Sequence, residues 1–175
     1  MKSKLIALTV CLSLFLTSCD VVDDLLTFSI SNEASIKIES TSPINLPSEF
    51  ITPEVTTNSS SEFDNNKTKA SLVKDVKLRS LRLAISDPSD KTFTFLKSIH
   101  LYISTTESNE IELAYQDNIS TAANAIDLIC TDKRLDEYIK ADSYKIRTKV
   151  TLKETLTKDV TVKANMKFRV TADPL

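Results

Sequence analysis

The sequence predicts a mainly β protein, an antiparallel β-sandwich of immunoglobulin-like architecture with one or two short helices. Three observations carry this. Successive segments alternate apolar and polar side chains with the period of a half-buried strand. The stretches between them are rich in Asn, Asp, Ser and Pro, and the chain contains no glycine, so its turns must be built from those residues. After a removable leader, the rest of the 175 residues is one domain by length, large enough to close a core without disulfides.

The elements follow in order. Leu26-Thr27-Phe28-Ser29-Ile30 and Ser35-Ile36-Lys37-Ile38-Glu39 both alternate and read as strand, with a break near Asn32. Residues 40–68 hold Pro43, Pro47 and Pro53 among many Ser, Thr and Asn. A structureless loop of that length is uncommon in a compact domain. Part of it is therefore expected along the sheet, with Phe50, Ile51 and Val55 as contacts and Pro53 confining it to an edge. Residues 69–74 read as one helical turn. Val76-Lys77-Leu78 and Leu81-Arg82-Leu83-Ala84-Ile85 alternate with opposite parity across Arg79-Ser80, the mark of a β-bulge. Asp87-Pro88-Ser89-Asp90 is a turn.

Residues 99–103, 111–115 and 125–130 are three further strands. Asp132 stands as the N-cap of a short helix over residues 133–140, which puts Leu135, Tyr138 and Ile139 on one face. This helix is expected to cross from one sheet to the other. The clearest alternation comes last. Tyr144, Ile146, Thr148, Val150 and Leu152 alternate with Lys145, Arg147, Lys149, Thr151 and Lys153. Val160, Val162, Ala164, Met166, Phe168 and Val170 then alternate with Thr161, Lys163, Asn165, Lys167, Arg169 and Thr171. The two segments predict a long antiparallel hairpin, one face on the core and the other basic. The total is seven to nine strands.

The first nineteen residues have a different character. Lys2 and Lys4 precede an almost unbroken apolar run, Leu5 to Leu16, and Thr17, Ser18 and Cys19 follow. This is the pattern of a secretory signal, too short to span a bilayer. Leu16-Thr17-Ser18-Cys19 resembles the bacterial lipobox. The resemblance implies cleavage before Cys19, diacylation of its sulfur and acylation of the new amine. Two or more acyl chains give stable attachment where one gives marginal binding. The domain organisation is then a signal peptide over residues 1–18, an acidic tether over 19–25 and one β-sandwich domain over 26–175. Asp20, Asp23 and Asp24 in the tether resemble the acidic surface-export signal of Bacteroidetes-type lipoproteins, interrupted by Val21-Val22. The mature chain as a whole resembles small β-sandwich lipoproteins of that type. The likeness rests on the lipobox, on Phe95-Leu96-Lys97-Ser98-Ile99 with Tyr102-Ile103-Ser104, and on the closing Phe168-Arg169-Val170-Thr171-Ala172-Asp173-Pro174-Leu175. It implies lipid anchoring in the bacterial cell envelope, in the outer membrane, with no activity to carry over.

Composition narrows the function. The formal net charge is −2, against a general nucleic-acid binder. Residues 20–66 carry nine acids and one lysine, so an acidic front precedes a mildly basic body. Without glycine there is no P-loop, dinucleotide fingerprint, nucleophile elbow or EF-hand. The one histidine, His100, lies on the strand face opposite Ile99, Leu101 and Ile103, without the cluster that a metal or nucleophile site needs. The pairs Asp23-Asp24, Asp136-Glu137 and Glu110 with Glu112 read as solvated charge. Asp64-Asn65-Asn66 and residues 87–90 lack the ligand spacing of a calcium loop. Cys130 reads as a small buried hydrophobe. No catalytic residue, metal or cofactor is expected.

One surface is left as a candidate site. Lys145, Arg147, Lys149, Lys153, Lys163, Lys167 and Arg169 would project from one side of the last hairpin and could meet anionic headgroups, an acidic polymer or an envelope protein. The expected function is a lipid-anchored envelope protein with a non-catalytic structural, scaffold or assembly role. The alternative is a surface-exposed adhesin or glycan-binding module, for which Tyr102 and Tyr115 are the aromatic candidates.

Overall fold

The computed structural model describes residues 26–173. Its strands are β1 (Thr27–Ile38), β2 (Pro47–Ile51), β3 (Val55–Thr56), β4 (Val73–Asp87), β5 (Leu96–Ser104), β6 (Ile111–Gln116), β7 (Ala125–Asp127), β8 (Ile129–Cys130), β9 (Ser143–Leu152) and β10 (Val160–Ala172). Two short helices, α1 (Ser59–Asn65) and α2 (Asp136–Lys140), and two single 3-10 turns (Ala70–Leu72 and Phe93–Phe95) complete the list. Two antiparallel sheets stack face to face. One runs β1-β10-β4-β7, and the other runs β2-β9-β5-β6-β8 with β3 also on β9.

The immunoglobulin-like architecture of two stacked antiparallel sheets holds, and the winding within it is a jelly roll. The pairs β1 with β10, β2 with β9, β4 with β7 and β5 with β6 nest inside one another along the chain. The chain therefore folds as one long hairpin rolled into two sheets, so its end strands are neighbours.

Alternation fixes which side of each strand enters the core. In β1 the even positions from Ile30 to Ile38 are buried and the odd positions exposed. The strand runs unbroken through Asn32, because the buried Asn32 amide finds partners there. Its Nδ2 donates to the carbonyls of Thr56 and Thr57 at 3.2 and 3.0 Å, and its Oδ1 accepts from the Tyr144 hydroxyl at 3.3 Å. The core itself is aliphatic, with Phe93, Phe95, Phe168 and Tyr144 as its largest buried side chains. Tyr144 and Phe168 meet edge to face across the two sheets, ring centroids 6.4 Å apart.

Several expectations are met in detail. The bulge lies where the parity of β4 switches: Leu78 pairs with Phe168 and Ser80 with Lys167, which leaves Arg79 as the extra residue. Arg79 and Ser80 both face solvent. Leu135, Tyr138 and Ile139 are all buried. The lack of glycine is answered by asparagine, since Asn45, Asn58 and Asn118 take left-handed backbone angles, joined by Lys67.

Others are corrected. The last two strands do not form a hairpin: β9 lies in one sheet and β10 in the other, so their apolar faces meet across the core. Alternation in two consecutive strands does not distinguish pairing edge to edge from stacking face to face. Residues 125–130 are not one strand, because the chain changes sheets at the buried Leu128. The helix before β9 starts at Asp136 rather than residue 133, and it crosses no sheet boundary, since β8 and β9 share a sheet. β2 and β3 do lie along the sheet edge on β9, but Ile51 is 68% exposed. α1 was not expected from its Ser-rich sequence. Phe63 holds it down, buried edge to face against Phe28.

Candidate functional site

Because β9 and β10 belong to different sheets, the seven basic residues expected on one surface divide between opposite faces of the sandwich. Lys145, Arg147 and Lys149 project outward from β9. Lys163, Lys167 and Arg169 project outward from β10. Lys153 joins neither group. It lies just past β9, and its Nζ donates to the Ile119 carbonyl at 2.8 Å, tying two loops together.

On the face carrying β9, Lys145 and Arg147 are paired with acids, while Lys149 has no ion pair among the described residues. Arg147 forks onto Glu110 through Nε and Nη2 at 2.8 and 2.6 Å, donates through Nη1 to Glu49 at 2.9 Å, and lies 4.2 Å over the Tyr102 ring. The guanidinium holds the Glu110 carboxyl below its ordinary range, and Glu110 raises Arg147 in return. Burial, then the Glu112 charge, pushes the Tyr102 phenol up. Lys145 faces Glu54 at 3.8 Å. Next to this group a cleft of 440 Å³ is lined by Ile51, Ser104, Thr105, Thr106, Glu107, Glu110, Lys145 and Arg147.

His100 sits on the same face, half-buried and stacked on Tyr115, with centroids 5.6 Å apart. Its Nδ1 is 2.7 Å from Glu112 and its Nε2 is 3.3 Å from Asp117. The two carboxylates occupy opposite sides of the ring, so they share no common centre with the imidazole. Among the described residues, no group of three or more His, Cys, Asp or Glu side chains is placed to hold a metal ion. The acid pair Asp136-Glu137 serves as a brace: Asp136 accepts from the Val76 amide, and Glu137 accepts from Asn109. Tyr102 lies under Arg147 and Tyr115 against His100, so neither ring offers a free face on that side for a sugar to stack on. Cys130 is half-buried, and burial pushes its thiol up.

The opposite face, formed by β1, β10 and β4, is different. Lys163 pairs with Glu33 at 2.9 Å and Arg82 with Asp127 at 2.6 Å. Between the pair formed by Lys163 and the end of β10, the strand register sets Ser29 beside Arg169 and Lys77, and Ser31 beside Lys167 and Ser80. The bulge adds Arg79 to the same face. Lys77 and Arg79 are the basic residues that sequence reasoning missed. The parity switch that marks the bulge was the signal, because a bulge turns one more side chain outward.

The residues expected to carry a lipid anchor, and the acidic Asp20, Asp23 and Asp24 after them, lie elsewhere. Cys19 and the recognition residues Leu16, Thr17 and Ser18 are outside the described residues. No helix among the described residues is long and apolar enough to cross a membrane.

No family model and no curated protein matches the chain. Similar solved structures include the BFDV capsid protein in its 60-mer, with TM-score 0.41 and 6% identity over 85% of this chain and 93% of that one. Another is Desmodium yellow mottle tymovirus, with TM-score 0.28 and 11% identity over 85% and 90%. A carbohydrate-binding module described as belonging to a β-sandwich superfamily gives TM-score 0.28 and 12% identity over 79% and 54%. Likenesses this distant carry no argument about function.

Proposed function

We propose that the chain is a lipid-anchored protein of the bacterial cell envelope, held in the outer membrane through Cys19, with a non-catalytic structural, scaffold or assembly role. The observation that carries this is the run from Lys2 to Cys19: positive start, apolar core, then Leu16-Thr17-Ser18-Cys19. The non-catalytic part is supported by the engagement of the candidate groups. His100, Glu110, Glu112, Asp136 and Arg147 are each taken up in hydrogen bonds and ion pairs that brace neighbouring strands and loops. A rigid sandwich with braced faces suits a protein that holds a position or presents a surface.

Cells expressing the chain and fed an alkyne-tagged palmitate test the anchor. The protein should incorporate the label, and its mature N-terminus should be a blocked residue 19. Cys19→Ser should lose the label and accumulate the uncleaved precursor. Label retained by Cys19→Ser, or a mature N-terminus elsewhere, would overturn the proposal.

A further inference from the structure

The outer face of the four-stranded sheet carries four cations in one cluster at the end where β1 begins. Arg169 and Lys77 are direct cross-strand partners. Lys167 is two residues along β10 from Arg169, roughly 7 Å in an extended strand. Arg79 is the bulged residue of β4. None of the four has an ion-pair partner among the described residues, whereas Lys37, Lys74, Arg82, Arg147 and Lys163 all do. The residues paired with them across this face are Ser29, Ser31 and Ser80, and the next acids along the strands, Asp75 and Glu33, are engaged by Arg134 and Lys163. Like charges directly opposite one another on paired strands cost stability. The fold nonetheless sets Lys77 against Arg169 and spends a bulge to add Arg79.

The position of the cluster identifies what it faces. Ser29, which pairs with Arg169, is two residues into β1, and β1 starts eight residues after Cys19. Eight extended residues span at most roughly 28 Å. A chain held at Cys19 therefore keeps this end of the sheet within roughly 28 Å of the bilayer surface, and the exposed large apolar residues Ile44, Leu46, Ile51 and Ile129 lie on none of β1, β4 and β10. We propose that the outer face of the four-stranded sheet lies against an anionic lipid surface through Lys77, Arg79, Lys167 and Arg169. The proposal rests on the anchored reading only for what brings the face to a membrane. The cluster sets how the domain lies: its four-stranded sheet toward the headgroups, and the paired-charge face of β9 turned away.

The test uses the chain from residue 19 onward carrying Cys19→Ser, so that no acyl chain contributes and failure of the anchor does not affect the result. Co-sedimentation is measured with vesicles of phosphatidylcholine alone and with phosphatidylglycerol added at three parts in ten. Binding should appear only with the anionic vesicles and should fall as salt shortens the Debye length from about 30 Å at 0.01 M to about 8 Å at 0.15 M. Each neutralised cation should weaken partitioning about fivefold, the equivalent of about 1 kcal/mol. Lys77→Gln, Arg79→Gln, Lys167→Gln and Arg169→Gln combined should abolish it, while Lys145→Gln with Lys149→Gln on the opposite face leaves it unchanged. Circular dichroism and urea unfolding of each variant establish that it is folded. Equal loss from both faces, or no preference for anionic vesicles, overturns the proposal. Asp20, Asp23 and Asp24 are the competing occupant. If vesicle binding appears only after all three are changed to Asn, the tether covers the cluster and the membrane does not, which also overturns it.

Discussion

Asn32 is the residue whose loss should do most damage for its size. It occupies a core position of β1, 8% exposed, where every other buried neighbour on the strand is apolar. Its amide joins the carbonyls of Thr56 and Thr57, at the edge of one sheet, to the Tyr144 hydroxyl beneath. The same knot continues through Thr57, whose Oγ1 donates to the Ala141 carbonyl at 2.7 Å and accepts from Ser59 Oγ at 2.6 Å. Asn32→Leu keeps the branched shape and the number of heavy atoms and removes the partners. Two groups, the Thr57 carbonyl and the Tyr144 hydroxyl, are left buried and unpaired, at about 1–3 kcal/mol each. The Tyr144 hydroxyl keeps only a weak contact with Met166 Sδ at 3.8 Å. Burying a leucine returns about 1.5–3 kcal/mol, so the net loss is about 2 kcal/mol. In urea this should appear as a lower midpoint with an unchanged slope. Tyr144→Phe alone should cost about 1 kcal/mol by orphaning the Asn32 Oδ1. In the Asn32→Leu background it should instead be neutral or stabilising, giving a coupling of about 1 kcal/mol or more. Asn32→Leu within about 0.5 kcal/mol of the parent, or additive effects in the cycle, would refute the role given to this amide.

Four further outcomes are expected. Thr148 is fully buried on β9 and its hydroxyl has no partner among the described residues, so Thr148→Val should raise stability by about 1 kcal/mol, or 2–4 °C in thermal midpoint. Asp159 accepts from the Ser40 amide and faces Lys37, and together these hold its carboxyl down at about 2. Its contribution is complete above the unfolded value near 4 and is lost as pH falls through about 2, so between pH 5 and pH 2 the thermal midpoint of Asp159→Asn should fall less than that of the parent. Lys67 takes a left-handed backbone angle, and Lys67→Asn should gain a few tenths of a kcal/mol in urea unfolding. Lys77→Glu should convert a repulsive cross-strand pair with Arg169 into an attractive one, raising stability by about 0.5 kcal/mol while lowering binding to anionic vesicles.

The period of two was legible and nearly sufficient for the strands. It placed the buried side of β1, β4, β5, β9 and β10 and located the bulge at Arg79, because half-burial leaves a parity that one extra residue must break. The partners of those strands were not legible. Nothing local to Tyr144 or Val160 says whether two consecutive amphipathic strands share an edge or face each other, and the jelly roll stacks them. The apolar run at residues 125–130 hid a change of sheet for a similar reason, since a buried residue such as Leu128 looks the same inside a strand and between two. Asn32 suggested a break in β1 because its partners lie 24, 25 and 112 residues away, beyond any window of local pattern.

The same topological step decides the candidate surface. A hairpin would have gathered seven cations on one side, and its charge alone would have been the argument. The jelly roll assigns Lys145 and Arg147 of β9 to a face where acids from β2 and the neighbouring loops meet them. It assigns those on β10 to a face where β4 contributes more cations and β1 contributes serines. Paired charges at half-buried positions brace structure; unpaired like charges side by side reduce stability and raise the local potential. The second arrangement is the one that a partner of opposite charge would improve, and it lies at the end of the sheet that the N-terminal segment enters. Reversing one of its charges separates the two effects: a surface kept only for solubility would become more stable at no cost to binding, whereas a headgroup-facing surface becomes more stable and binds less.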